Sequence, residues 1–212
     1  MELSELRVHD LLRLPSPEAV SVVDPPFWLA GALESAPWVV VRRPPPRERR
    51  VAVGIRGISR DQRCAATLDP AGIGERVAPE DLVAREAWRH GQRTGLKVLE
   101  VLADLAPMLQ QKGLIWGVAG GAGFELATGA PVLTDASDLD LILRCGFPLP
   151  EAALLALAGD VTAAPCRIDV LVETPRGGFS LSEFAGASGS VLLRQPDGVR
   201  LIAPTELTAP GG

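Results

Sequence analysis

The spacing of apolar and polar positions along the chain changes near residue 79. Before this point, short apolar runs are interrupted by prolines, which remove backbone donors and favour turns and short strands. In this part we predict a brief helix, a strand and the hairpin partner of that strand, at residues 9–14, 38–41 and 51–58. Residues 69–78 are rich in turn formers and are predicted to be a linker. The pattern predicts a small β-rich N-terminal domain at residues 1–78.

From residue 79 onward, longer apolar segments keep helical or strand-like periods. Pro79 is followed by two acidic residues, which is typical of a helix start. We predict helices at residues 79–89, 95–111, 124–128 and 151–158, and strands at residues 114–118, 166–173, 191–194 and 199–202. A further strand is predicted to begin at Asp138. Helices interspersed with strands predict a second, larger domain at residues 79–212 and an α+β protein.

Two aspartates one residue apart open the strand that begins at Asp138. Side chains at positions i and i+2 of a strand leave the same face, so Asp138 and Asp140 project together while Leu139 and Leu141 face the core. Two carboxylates held this close repel each other unless a cation lies between them. Mg2+ is the usual cation where a substrate brings phosphate oxygens. The pair therefore predicts a metal site for phosphate chemistry.

A glycine-rich turn precedes these acids and follows a predicted strand. Gly120, Gly121 and Gly123 relax the backbone before the helix predicted at residues 124–128, so successive N–H groups can point at an anion. This favours a phosphate cradle, and the alternative is a turn that only lets the strand and the helix pack closely. A dinucleotide-binding turn fits poorly, because Gly117, Gly120 and Gly123 do not follow the G-x-G-x-x-G order.

The strand predicted at residues 166–173 contributes a third acidic residue, Asp169. Alternation along the strand places Asp169 on one face with Arg167 and Leu171. On that face Asp169 is a candidate to lie beside the aspartate pair. The alternative is an ordinary solvent-facing aspartate on an amphipathic strand.

Arginines concentrate in the N-terminal part of the chain. Arg56, Arg60 and Arg63 lie near glycines, and a guanidinium fork suits phosphate oxygens. Ordinary ion pairs at a domain interface are the alternative. A second basic run surrounds three prolines at residues 44–46. It is predicted to form a hairpin tip, which is either a solvated loop or a surface for an acidic partner.

Composition limits the classes of function. The 212 residues are 47% hydrophobic and 22% charged, with a net charge of −5, which is typical of a soluble globular protein and argues against a general nucleic-acid binder. No apolar run reaches the length of a membrane span, and the acidic N-terminus differs from a secretory signal. Cys64, Cys145 and Cys166 lack metal-ligand spacing, and we expect them to be reduced and buried. We therefore expect a cytoplasmic protein with no membrane or nucleic-acid partner.

Several segments of the chain resemble a known family. The order of a glycine turn, two aspartates and a later acid resembles the nucleotidyltransferase fold of the DNA polymerase β type. The wider segments resemble the malonate decarboxylase holo-acyl-carrier-protein synthases, also called phosphoribosyl-dephospho-CoA transferases: VGIRGISRDQR, WGVAGGAGFELATG, TDASDLDLILR, IDVLVETPRGGFSL and SVLLRQPDGVRLI. The resemblance covers nearly the whole chain and is densest from residue 113 to residue 202.

The resemblance implies transfer of the 2'-(5''-phosphoribosyl)-3'-dephospho-CoA group from its triphosphate precursor to a serine of the malonate decarboxylase acyl carrier protein, with release of pyrophosphate. It implies that residues 79–212 form a nucleotidyltransferase catalytic domain with a mixed sheet flanked by helices. In that domain Asp138 and Asp140 are expected to bind Mg2+, or Mn2+ as an alternative, and Asp169 is expected to ease deprotonation of the serine. Such folds usually have Gly-Ser in the turn, where this chain has Gly120 and Gly121.

Substrate phosphates need more positive charge than the metal provides. The catalytic half has few nearby arginines, so we expect Arg56 and Arg60 of the N-terminal part to contact these phosphates or the carrier. Two other functions stay open: another metal-dependent nucleotidyltransferase that acts on a different hydroxyl acceptor, and a non-catalytic module that binds a nucleotide or a carrier protein. The two close carboxylates disfavour the binding module, which has little need for them.

Overall fold

The computed structural model describes residues 5–43, 50–59, 61–90, 93–186 and 189–208. Its strands form two six-stranded sheets, one from each half of the chain. Helices accompany the strands in both halves, so the predicted α+β class is confirmed. Among the described residues, no helix has the length and the apolar character needed to cross a membrane.

The first sheet comes from the N-terminal half and is antiparallel throughout. Its strands are β1 (Leu11–Arg13), β2 (Val20–Ser21), β3 (Trp38–Val41), β4 (Val51–Arg56), β5 (Arg63–Leu68) and β6 (Arg76–Val77). They lie in the order β2-β5-β4-β3-β1-β6, so the predicted partners β3 and β4 do pair. Val53 and Ile55 of β4 are buried in a core that includes Leu33 of helix α1 (Leu29–Ser35). The predicted hairpin tip lies outside the described residues.

Two other predictions for this half are wrong. The helix predicted at residues 9–14 is instead strand β1, because Leu11 and Leu12 are both buried and their backbones pair with β3 on one side and β6 on the other. The linker predicted at residues 69–78 instead contains a 3-10 helix, Pro70–Gly72, and strand β6 at one edge of the sheet. Prolines and glycines mark the turns in both segments, but tertiary pairing decides the conformation of the residues between them.

The second half contains helices α2 (Pro79–Ala84), α3 (Lys97–Gln111), α4 (Gly120–Thr128), α5 (Glu151–Thr162), α6 (Leu181–Gly186) and α7 (Pro204–Thr208). Its strands are β7 (Ile115–Val118), β8 (Leu139–Arg144), β9 (Ile168–Thr174), β10 (Gly177–Ser180), β11 (Val191–Gln195) and β12 (Gly198–Ile202). The sheet has the order β12-β11-β10-β9-β8-β7. Strands β8 and β9 are parallel and the other neighbours are antiparallel, which confirms the predicted mixed sheet.

Most elements predicted for the second half are present, with shifted ends. The helix predicted at residues 79–89 ends at Ala84, because Glu86 adopts a left-handed φ of 45° before a 3-10 helix, Ala87–Arg89. Strand β10 was not predicted, because two of its four residues are glycines, which are weak strand formers. The C-terminal hairpin, β11 with β12, is found where the sequence predicts it.

A common core joins the two halves. Leu139, Leu141 and Leu143 of β8 have 0–1% exposure, and they belong to an apolar cluster that also contains Leu11 and Trp38 of the first sheet. Alternation along β8 therefore leaves the opposite face of the second sheet for polar side chains.

Candidate active site

Helix α4 begins directly against strand β8. Gly120, its first residue, adopts a φ of 58°, and a Cβ atom at this position would overlap the Asp140 carboxylate. The Ala119 N–H donates to the Asp140 carbonyl at 2.9 Å, which holds the two elements together. Position 120 therefore requires glycine. The first N–H groups of the helix, which have no intrahelical acceptors, lie beside a carboxylate and are available to an anion.

The other two glycines of this turn have different surroundings. A Cβ atom at Gly123 would lie 2.5 Å from the Val118 carbonyl oxygen, so close packing of α4 on β7 requires glycine there. A Cβ atom at Gly121 would lie 3.2 Å from Nη1 of Arg56 and 3.3 Å from Cδ2 of Leu133. Close packing thus explains Gly123, while Gly120 and Gly121 border the space where an anion can lie.

Asp138 and Asp140 lie at the start of strand β8. Both are half-buried, and Asp138 immediately precedes the first strand residue. Asp140 lines the cavity over the second sheet and Asp138 is not among the residues in its wall, so their placement on one face stays a prediction from their spacing. Within the described ranges, no group of three or more His, Cys, Asp and Glu side chains is arranged to hold a metal ion. A cation here would rest on two carboxylates with substrate or water oxygens as further ligands, a donor set that fits Mg2+.

Asp169 lies on β9 directly opposite Asp140 in the parallel register. Its Oδ1 accepts hydrogen bonds from Nε of Arg167 at 3.2 Å and from Nη2 of the same residue at 3.0 Å. The Asp169 side chain is 44% exposed. The structure therefore places Asp169 beside Asp140 but with one oxygen bonded to an arginine, and its role as a base stays a prediction.

Arg56, at the end of β4, extends from the first sheet to the glycine turn. Its Nη1 would lie 3.2 Å from a Cβ atom built at Gly121, so the guanidinium borders this glycine, and its Cζ lies 5.9 Å from the centre of the Phe124 ring. The structure thus places one of the two predicted phosphate-binding arginines at the first turn of α4. The other, Arg60, lies outside the described residues.

Two cavities meet at the start of α4. The first, of about 570 Å3, lies between the first sheet and α4. The second, of about 470 Å3, lies over the polar face of the second sheet and has Asp140 and Asp169 in its wall. His9, Ala119 and Gly120 line both cavities. A bound molecule can therefore extend from the acids past the glycine turn to the first sheet.

Both halves of the chain match models of one protein family. Residues 7–79 match the N-terminal domain of phosphoribosyl-dephospho-CoA transferase MdcG, and residues 85–205 match its C-terminal domain. A phosphoribosyl-dephospho-CoA transferase of Azotobacter vinelandii is 43% identical over 199 residues, which cover 92% of this chain and 91% of that protein. This chain belongs to the phosphoribosyl-dephospho-CoA transferase MdcG family.

Relatives in other bacteria support membership of the MdcG family. A protein with the same name from Pseudomonas aeruginosa is 42% identical over 186 residues, covering 88% of this chain and 87% of the relative. Another from Klebsiella pneumoniae is 40% identical over 197 residues, covering 93% and 94%. The family inferred from the sequence is confirmed, and the chain is a transferase. No solved structure matches it, so the fold of the DNA polymerase β type stays a prediction.

The candidate site of this MdcG-family transferase combines residues from both matched domains. Arg56 lies within the N-terminal match, whereas Gly120, Asp138, Asp140 and Asp169 lie within the C-terminal match. Both matched domains therefore contribute residues to the walls of the candidate site.

Two residues that no sequence pattern singled out, His9 and Glu173, connect the two halves of the chain beside the candidate site. Nε2 of His9 lies 3.1 Å from Oε1 of Glu173, and Nη2 of Arg43 donates to the same oxygen at 2.6 Å. His9 also has a left-handed φ of 78°, an uncommon conformation for a residue other than glycine. Strand alternation could have placed Glu173 on the face of Asp169. No local pattern could have placed His9 there.

Burial and polar contacts have opposite effects on the pKa of Glu173. Burial is the largest single influence and raises the pKa, but the hydrogen bond from His9 and the positive charge of Arg43 together hold the pKa below its ordinary value of 4.5. The carboxylate is therefore ionised at neutral pH although the residue is only 7% exposed.

The three cysteines are free thiols in the structure. Cys145 is buried as expected, whereas Cys64 and Cys166 are half-buried. Burial raises the pKa of Cys145 to about 11. Burial also raises the pKa of Cys166; there the charge of Lys97 opposes the shift and that of Asp138 adds to it. The raised pKa values keep Cys145 and Cys166 protonated at neutral pH, and protonated thiols are poor nucleophiles and poor metal ligands.

Proposed function

We propose that this MdcG-family chain transfers the 2'-(5''-phosphoribosyl)-3'-dephospho-CoA group from its triphosphate precursor to a serine of the malonate decarboxylase acyl carrier protein, releasing pyrophosphate. The names of the relatives supply the transferred group. The observation that carries the proposal is the close approach of Gly120 to Asp140. It brings the N–H groups at the start of helix α4 next to a carboxylate that we propose as a metal ligand.

This arrangement suits a phosphate group that the protein must bind and that the carrier serine must attack. The N–H groups at the start of α4 can donate to phosphate oxygens without competing acceptors within the helix. The guanidinium of Arg56 lies over the same turn and adds a positive charge there. The pyrophosphate end of the precursor is therefore expected at this turn, with the phosphorus to be attacked nearer to Asp140.

Asp138 and Asp140 would hold Mg2+, or Mn2+ in its place, and the bound ion would neutralise phosphate charge and favour departure of pyrophosphate. Both ions prefer oxygen ligands, which fits the two carboxylates. Gly120 assists by leaving room for the Asp140 carboxylate, because any side chain there would displace it.

The carrier serine must approach over the polar face of the second sheet. Asp169 lies there beside Asp140 in the strand register and lines the same cavity. We propose that the free oxygen of Asp169 accepts the serine proton, while Arg167 orients the carboxylate through the other oxygen. We expect the reaction in the cytoplasm, where free thiols such as those of this chain stay reduced.

Mass spectrometry of the intact carrier tests the proposal. The purified chain is incubated with the triphosphate precursor, Mg2+ and apo carrier protein. The expected result is a carrier whose mass has increased by one phosphoribosyl-dephospho-CoA group, together with release of one pyrophosphate. A carrier with Ala in place of the acceptor serine is the control and should gain no mass. An unmodified carrier, with transfer to another hydroxyl compound instead, would support the alternative nucleotidyltransferase function.

A further inference from the structure

The cavity between the first sheet and α4 combines an apolar floor with a basic rim. We name it the N-terminal cavity, and define it by its apolar residues Leu11, Val40, Gly54, Ala65 and Phe124 and its basic residues Arg42, Arg56 and Arg63. None of the described residues in its wall is a carboxylate. The electrostatic potential of this wall therefore favours an anionic ligand.

The floor of the N-terminal cavity is a row of small side chains across three strands. Val40 of β3 pairs with Gly54 of β4, and Gly54 pairs with Ala65 of β5. The next pair along β4 and β5 on the same face is Arg56 with Arg63. Glycine inside a strand weakens it and commonly marks a place where a ligand or another chain segment approaches closely. The small row therefore leaves open, shallow space over the exposed Ala65, next to the arginine pair.

The Arg42 side chain lies over the middle of this row. A Cβ atom at Gly54 would lie 3.2 Å from Cδ of Arg42, so the arginine stem already packs over the glycine. Arg42 lines the N-terminal cavity together with Arg56 and Arg63. Three cations beside an apolar surface suit a ligand that has both phosphates and a larger, weakly polar part.

The N-terminal cavity adjoins the candidate active site. Ala119 and Gly120, which border the Asp140 carboxylate, line this cavity and also the cavity over the second sheet. A phosphate bound at Gly120 is therefore at the junction of the two spaces. The carrier serine takes the side of the acids, which leaves the N-terminal cavity for the remainder of the precursor.

We propose that the N-terminal cavity binds the 3'-dephospho-CoA part of the precursor, with its diphosphate at Arg42 and Arg63 and its flat adenosine part on Ala65, beside the Arg42 stem that covers Gly54. The assignment rests on the proposed function for the identity of the ligand. It predicts that residues of the first sheet provide the affinity for this part of the precursor. Binding of this part should therefore not depend on the acidic residues of the second sheet.

Calorimetric titration with 3'-dephospho-CoA tests this assignment. This probe lacks the triphosphoribosyl group, so its binding needs neither the reacting phosphates nor a divalent cation, and the titration is done with chelator present. The full wild-type chain should bind it. Asp140→Asn should bind it with unchanged affinity, because Asp140 does not line the N-terminal cavity.

Two test variants and one matched control locate the binding site. Ala65→Leu fills the floor from an exposed position and should weaken binding about tenfold or more. Thr67→Leu is the matched control, since it adds a leucine two residues away on the same strand and face but outside the cavity lining, and it should bind like wild type. Arg42→Gln keeps the stem over Gly54 but removes the charge, and it should also weaken binding.

Each outcome decides the assignment. If Ala65→Leu and Arg42→Gln bind 3'-dephospho-CoA as tightly as wild type, or if wild type does not bind it, the cavity assignment is wrong even when the mass assay shows transfer. If the probe binds as expected but no carrier is modified, the proposed function fails and the cavity remains a dephospho-CoA site. The melting temperatures of Ala65→Leu and Arg42→Gln should match that of wild type. If Ala65→Leu melts at a lower temperature, the affinity of Arg42→Gln for 3'-dephospho-CoA decides whether the assignment is correct.

Discussion

Nε2 of His9, from the segment before β1, lies 3.1 Å from Oε1 of Glu173 on β9. The pair joins the two halves of the chain at a place where Glu173 is only 7% exposed. Arg43 adds a second contact from the first half to the same carboxylate, at 2.6 Å. The position of the first sheet beside the candidate active site therefore depends on an ionised, buried carboxylate, and breaking such contacts leaves buried charges without partners.

We expect Glu173→Gln to lower the melting temperature, and to change its dependence on pH. The folded pKa of Glu173 lies below the ordinary value of 4.5, because His9 and Arg43 outweigh the effect of burial. In the unfolded chain the group binds its proton at the higher pKa, so the unfolded state holds more protons in acid. The stabilisation from Glu173 is fully present above pH 4.5 and is lost as the pH falls through the folded pKa.

Melting curves recorded from about pH 6 to about pH 3 measure this effect. Wild type should lose stability more steeply below pH 4.5 than Glu173→Gln does. Glu34→Gln, on the exposed side of α1, is the control and should follow the wild-type curve. Equal steepness in wild type and Glu173→Gln would show that this contact does not stabilise the fold.

The acids at the start of β8 should be essential for transfer and dispensable for folding. Asp138→Asn and Asp140→Asn each remove one metal-ligand charge, and removal of the charge also relieves repulsion between the two carboxylates. We expect each to lower turnover by about 100-fold or more. Turnover in the mass assay and melting temperature are both measured. Asp135→Asn, in the exposed turn before β8, should keep wild-type turnover. Normal turnover in both acid variants would refute the metal site.

Transfer should also require a divalent cation. Chelator should abolish turnover, and added Mg2+ or Mn2+ should restore it, because the candidate ligands are carboxylate oxygens. Zn2+ is not expected to substitute well, because the pair offers only carboxylate oxygens, whereas protein zinc sites mostly use cysteine and histidine ligands. Full activity in chelator would mean that the arginines and the helix N–H groups neutralise the phosphates alone.

Substitutions at the neighbouring positions Gly120 and Gly121 should have very different effects on transfer. Gly120→Val would overlap the Asp140 carboxylate at a φ of 58°, so it should abolish transfer. Gly121→Ser restores the hydroxyl usual in such folds, and its Cβ would meet the flexible end of Arg56 at 3.2 Å, which can move. We expect Gly121→Ser to keep or improve the KM for the precursor. A much higher KM would show that the turn does not hold phosphate as proposed.

The local sequence pattern is sufficient to predict the centre of the candidate site. The strand that carries Asp140 and the need for glycine at position 120 could be predicted, because alternation and glycine conformational freedom are properties of adjacent residues. The details differ, since the strand begins one residue after Asp138 and the predicted turn at Gly121 and Gly123 is the first part of α4. The contact between His9 and Glu173 could not, since it joins residues that are far apart along the chain. Strand β1 was predicted to be a helix for the same reason, as its conformation is decided by pairing with distant strands.

The position of Arg56 is the strongest link between the first sheet and the proposed chemistry. Its guanidinium lies against the first turn of α4 and over the Phe124 ring, where precursor phosphates are expected. Arg56→Ala should therefore raise the KM for the precursor about tenfold, in line with the loss of a charge-assisted hydrogen bond, while kcat changes less. Arg60→Ala is expected to act in the same direction. Arg13→Ala, an exposed arginine on β1 outside both cavities, should leave KM unchanged.

Salt separates an electrostatic role of Arg56 from a structural one. If its charge attracts phosphate, then added salt should raise the wild-type KM by screening the half-buried guanidinium, and the KM of Arg56→Ala should respond less. A purely structural role predicts a different result, in which the variant melts earlier and both proteins respond equally to salt. An Arg56→Ala variant with wild-type KM and wild-type kcat would limit the first sheet to stabilising the catalytic half, since no arginine of that sheet would then act on the precursor at the glycine turn.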